Sequence, residues 1–170
     1  GYHVHIFCPD KNEPAVEVSK FHTCAAYDDK AALEQFAQSV DVVTLEWENV
    51  PLAALDVIAK HVDVYPSANV LRVAQDRGLE KTFARSIDVG TADFVIVNSA
   101  VELEKTIEKF PLPAILKSTR MGYDGKGQVK ITPDTKADDA WRAMGSDVGI
   151  LEAFVDFACE ISVIVACRAD

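Results

Sequence analysis

The chain has 170 residues, about half of them hydrophobic, and a formal net charge of -10. That length can bury one full core and part of a second. The acidic balance argues against nucleic acid and anionic membrane surfaces, which both require a basic footprint. No apolar run approaches the roughly 20 residues that a membrane span needs.

The charge is unevenly spread: residues 1–66 sum to -7, residues 67–128 to +1, and residues 129–170 to -4. The only stretch that is not acidic contains the most glycine-rich loop of the chain. Four cysteines, Cys8, Cys24, Cys159 and Cys167, show no C-x-x-C spacing and are read as buried, reduced thiols. The chain opens on Gly1, and residues 4–8 read as a core strand, so neither a signal peptide nor a natural start is expected.

In chain order, short apolar runs alternate with helical periodicity, the pattern of a parallel sheet flanked by helices. Strands are predicted at 4–8, 24–26, 42–45 and 62–65, with helices at 30–39 and 52–60 and Pro51 in the first turn of the second. Ser67 is positioned to cap a helix through Val73, and another helix is predicted over 77–85. A strand at 94–97 then leads into Ser99-Ala100-Val101-Glu102, a capping box opening a helix to Lys109 that Pro111 and Pro113 end. Residues 114–118 form a strand, the glycine loop turns it back, and 128–131 is its antiparallel partner. A helix over 136–144 presents Ala137, Trp141 and Met144 on one face. Strands at 149–154 and 160–166 complete the chain, whose end is also read as cut.

The loop after Lys117 reads Gly122-Tyr123-Asp124-Gly125-Lys126-Gly127-Gln128. Three glycines in seven residues let backbone N–H groups approach phosphate oxygens, with Lys117 and Lys126 adding charge; a plain glycine hairpin fits the same composition. The loop is neither a Walker A nor a Rossmann G-x-G-x-x-G sequence. Lys117 ends an apolar strand, where a charged residue needs a reason. Arg77 and Lys81, four apart, read from the residues alone as decorating a solvated helix. His3 and His5 alternate onto one strand face, but with no third ligand nearby a structural role is favoured.

Taken together, Thr44-Leu45-Glu46-Trp47-Glu48-Asn49-Val50-Pro51, Gln75-Asp76-Arg77, the glycine loop, and Glu152 to Val155 followed by Cys159-Glu160 resemble the ATP-grasp enzymes. Within that superfamily the wording is similar to the N5-carboxyaminoimidazole ribonucleotide synthetases of purine biosynthesis. Formate-dependent glycinamide ribonucleotide transformylases, biotin carboxylases and a non-catalytic nucleotide-binding module are the alternatives.

The resemblance implies an α/β architecture in three parts. These are a Rossmann-like pre-ATP-grasp domain over 1–75, the small α+β ATP-grasp subdomain over 76–149, and a hinge with the start of the second subdomain over 150–170. It implies a cytoplasmic, homodimeric ligase that uses ATP, bicarbonate and 5-aminoimidazole ribonucleotide. Arg77 and Lys117 would contact phosphates under the loop Gly122 to Gln128. Glu152, Ala153, Phe154 and Val155 would bind adenine, and Glu160 would take the ribose. Tyr123, Asp124 and Lys126 would face the reacting groups. Lys126 stands where many members carry Arg, which keeps the charge but not the bidentate fork. The resemblance also implies a protein about twice as long, with Mg²⁺ ligands in a following half, so residues 1–170 alone are expected to bind ATP weakly and not to turn over.

Overall fold

A computed structural model describes residues 1–122 and 127–165, in two compact units spanning Gly1–Val89 and Gly90–Asp170.

In the first unit, β1 (His5–Cys8) lies parallel to β2 (Phe21–Cys24), with α1 (Pro14–Val18) between them in sequence. The five-residue α1 was not anticipated, being too short for a periodic apolar pattern. The second strand begins earlier than expected, at Phe21, because pairing with β1 recruits β-forming residues that local composition had left outside. Next comes α2 (Lys30–Gln38), started by Asp29, whose carboxylate accepts from Ala32 N–H. β3 (Val43–Thr44) pairs in parallel with β4 (Val64–Tyr65) across α3 (Leu52–Ile58). Pro51 is the N-cap of α3 rather than a residue of its first turn.

The four strands therefore form two parallel pairs, not one continuous sheet. Between the pairs lies a cavity of about 870 Å³, lined by β1 and β3 together with Leu33, Phe36, Leu55 and Ile58. Those helix residues belong to the core of this unit, with Ala54, Val57, Val64 and Leu71. α4 (Ala68–Ala74) follows Ser67, whose side chain makes no capping bond, contrary to expectation. α5 (Arg77–Ser86) closes the unit.

The second unit is a four-stranded antiparallel sheet in the order β5 (Phe94–Val97), β8 (Gly149–Ala153), β6 (Ala114–Ser118), β7 (Gln128–Ile131). α6 (Ala100–Ile107) and α7 (Ala137–Met144) supply Leu103, Ala140 and Met144 to a core with Val97, Ala114, Leu116, Ile131 and Leu151. The expected capping box is present in a shifted form. Ser99 Oγ accepts from Glu102 N–H, while Glu102 reaches back to Asn98 N–H, one residue beyond Ser99. α7 ends at Gly145 in the left-handed conformation.

The strand expected over 160–166 is absent among its described residues, 160–165. Ile161, Val163, Ile164 and Val165 are exposed there, because a β-prone segment forms a strand only alongside a partner edge. The cysteines also depart from expectation. Cys8 is buried, whereas Cys24, at the end of an edge strand, and Cys159, in the coil after β8, are exposed; Cys167 lies outside the described residues.

Candidate functional site: one face of the antiparallel sheet

Alternation along the strands divides the second unit's sheet into two chemically different faces. Ala114, Leu116 and Ser118 of β6 point to the helix-covered side and are buried. Ile115 and Lys117 point the other way. The register places Gln128 opposite Lys117, and Ile115 between Lys130 and Glu152. That face therefore gathers Lys117, Glu152, Gln128 and Lys130 around Ile115 and Ile150.

Lys117 and Glu152 are diagonal neighbours across β6 and β8. Lys117 Nζ donates to Glu152 Oε2 at 2.8 Å, with side-chain exposures of 25% and 8%. Sheltering both charges carries a desolvation cost that their pairing offsets only in part. The sequence alone assigns the two residues separate roles; their pairing depends on strand register, which no local motif encodes.

The loop that leaves this face is constrained at both ends. Ser118 N–H donates to Gly127 O at 2.8 Å. Gly127 has φ +68°, and a Cβ there would lie 2.7 Å from Ser118 Oγ, so glycine is required both by conformation and by space. Gly122 is part-buried at the other end. Tyr123, Asp124, Gly125 and Lys126 lie outside the described residues.

At the end of β8, Ala153 N–H is committed to Asp93 O at 2.8 Å and Phe154 N–H to Pro113 O at 3.3 Å. Val155 is the next residue whose N–H faces no backbone acceptor among the described residues. Phe154 is half-exposed, with Lys130 Nζ 5.0 Å from its ring centroid. Lys130 was missed by sequence reading; its position two residues after Gln128 on an alternating strand was the available signal. Glu160 is exposed and lies outside regular structure.

In the first unit, Gln75-Asp76-Arg77 divides into three tasks. Gln75, only 5% exposed, donates from Nε2 to Glu48 O at 2.7 Å and Val50 O at 2.8 Å, fixing the loop after β3. Asp76 caps α5 through Gly78 and Leu79 N–H. Arg77 occupies the first position of that helix and is part-buried. The loop held by Gln75 presents Trp47 against Tyr27, ring centroids 6.3 Å apart, and its Glu46 and Trp47 line the cavity between the strand pairs.

Among the described residues, no group of three or more His, Cys, Asp or Glu is placed to hold a metal ion, and His3 and His5 form no such site. His5 instead bonds Thr23 Oγ1 at 2.9 Å and Ser39 Oγ at 3.3 Å.

The ATP-grasp domain model matches residues 82–170 and the ribonucleotide synthetase preATP-grasp domain model residues 1–75; the chain belongs to the ATP-grasp family. Within it, the particular proteins to which the chain is similar are N5-carboxyaminoimidazole ribonucleotide synthases. The Brucella melitensis synthase is 39% identical over 98% of this chain and 46% of its own length. The bifunctional purine synthesis protein of Dictyostelium discoideum is 45% identical over the whole chain and 18% of its length. Among solved structures, a synthetase in complex with ADP superposes with TM-score 0.85 at 32% identity, over 93% of this chain and 42% of that one. The Aspergillus clavatus synthase bound to ADP and 5-aminoimidazole ribonucleotide gives 0.77 at 26%, over 91% and 40%. The chain thus spans less than half the length of these relatives.

Proposed function

We propose that the protein carrying this chain uses ATP to carboxylate 5-aminoimidazole ribonucleotide with bicarbonate, by way of carboxyphosphate, giving N5-carboxyaminoimidazole ribonucleotide. The observation that carries this reading is the Lys117–Glu152 pair beside Gln128 on the open sheet face. Its support from outside the chain is the similarity to synthases along both units.

Phosphoryl transfer asks the protein mainly for positioning and charge neutralisation. Lys117 supplies a cation on the sheet face, and Arg77 a second at a helix start. On nucleotide binding, Lys117 turns from Glu152 toward the phosphates, and the released carboxylate accepts the adenine amino group. Val155 N–H and the backbone at Ala153 and Phe154 read the adenine edge. The loop from Gly122 through Gly125 and Gly127 to Gln128 covers the phosphates with backbone N–H groups. Tyr123, Asp124 and Lys126 face the carboxyphosphate and the aminoimidazole, and Glu160 takes the ribose hydroxyls. Mg²⁺, when bound, would neutralise phosphate charge, and its ligands are assigned to a following part of the protein. Residues 1–75, 76–149 and 150–170 serve as pre-ATP-grasp domain, small subdomain, and hinge with the start of the second subdomain. A cytoplasmic homodimer fits this role.

The test is ADP release by the purified full-length protein given ATP, Mg²⁺ and bicarbonate, with and without 5-aminoimidazole ribonucleotide. The expected result is release that rises on adding the nucleotide. No rise would overturn the assignment.

A further inference from the structure

We propose that Cys8 and Cys24 are a modification site: exposed to hydrogen peroxide, they form a reversible disulfide that joins the carboxyl ends of β1 and β2. The two cysteines are paired in register as the last residues of adjacent parallel strands. Neighbouring strands lie about 4.8 Å apart, within the Cα separation of about 4.4–6.8 Å that a disulfide accepts. Register also places both side chains on the same face. Both turn toward the same bend: Cys8 Sγ donates to Asp10 O at 3.1 Å and Cys24 Sγ to Pro9 O at 3.6 Å.

Their exposures differ in the way a two-step oxidation requires. Cys24 is exposed and meets the oxidant, whereas Cys8 is 7% exposed and sheltered from it. Burial, followed by the neighbouring Cys24, pushes the Cys8 thiol above its usual range, which keeps Cys8 protonated and slow to react with peroxide directly.

Cys24, on losing its proton, attacks one peroxide oxygen and the O–O bond breaks; sulfenic acid forms, and the departing hydroxide takes up the proton that the thiol released, giving water. Cys8 sulfur then attacks the Cys24 sulfur; its proton leaves with the departing hydroxide as a second water, and the S–S bond forms. Two thiols lose two electrons, and one peroxide becomes two waters. The bond would staple the strand ends at the rim of the cavity that Cys8, Pro9 and Asp10 help to line. This inference is independent of the ATP-dependent reaction.

The experiment treats the purified protein with hydrogen peroxide, alkylates remaining thiols under denaturing conditions, and maps peptides by mass spectrometry. The expected result is a peptide pair joining Cys8 to Cys24, cleaved by dithiothreitol, with Cys159 still open to alkylation or singly oxidised. Cys8→Ser should leave Cys24 as a sulfenic acid that dimedone traps. Cys24→Ser, a change at an exposed position, should leave Cys8 fully alkylatable. Over-oxidised Cys24 beside a free Cys8 in the unaltered protein would overturn the proposal, as would a bond from either residue to another cysteine.

Discussion

Lys117 and Glu152 meet because β6 and β8 run antiparallel with Ile115 opposite Glu152. Removing one partner leaves the other sheltered and uncompensated. Lys117→Met should therefore destabilise the second unit by about 1–3 kcal/mol, measured by denaturant unfolding. Adding Glu152→Gln should recover part of that loss, because a neutral amide tolerates the site better than a lone carboxylate. A purely nucleotide-directed lysine would show no such recovery. The same substitution should raise the ATP dissociation constant at least about tenfold, a loss of about 1.4 kcal/mol. At the loop's far end, Gly127→Ala meets both a left-handed backbone and Ser118 Oγ. It should cost about 1–2 kcal/mol, read from the same unfolding curves.

Among elements, those with a local chemical signature were legible in advance. α6 was announced by Ser99 and Glu102, α7 by its apolar face, and β5 by a run of four β-forming residues. Elements whose limits depend on partners were not. β2 takes its start from pairing with β1, and residues 160–165 have β-strand composition without an edge to join. The candidate site divides along the same line. Lys117 stood out as a charge ending an apolar strand, but its partner, and the placement of Lys130 on the same face, depend on register. Gln75 illustrates a third case, since a buried amide bridging Glu48 O and Val50 O leaves no trace in local periodicity. Gln75→Leu should destabilise the first unit by about 1–3 kcal/mol, from two lost hydrogen bonds. Proteolysis should then cut sooner within residues 46–50, whereas unchanged cleavage would show that the loop is held by other contacts.

Across the molecule, acidity and titration bear on different properties. The charge of -10 disfavours anionic polymers as partners. Stability responds to pH in the first unit through His5, whose pKa is lowered by burial first and by His22 second. A histidine with a depressed folded pKa binds fewer protons folded than unfolded, so its unfavourable contribution is absent above the unfolded value of 6.5 and grows as pH falls toward the folded pKa. The melting temperature of the first unit should fall between about pH 7.5 and about pH 5.5, and His5→Gln should flatten that slope.

In the proposed reaction, the sheet face bearing Lys117 and Glu152 serves a carboxylation driven by ATP through carboxyphosphate. Bicarbonate labelled with oxygen-18 tests it most directly in the full-length protein, because the oxygen that attacks the γ-phosphorus remains on phosphate when the carboxyl group moves on. The expected product is labelled inorganic phosphate, formed in proportion to ADP when 5-aminoimidazole ribonucleotide is present, and strongly reduced in Lys117→Met. Unlabelled phosphate released alongside ADP would contradict the proposed reaction.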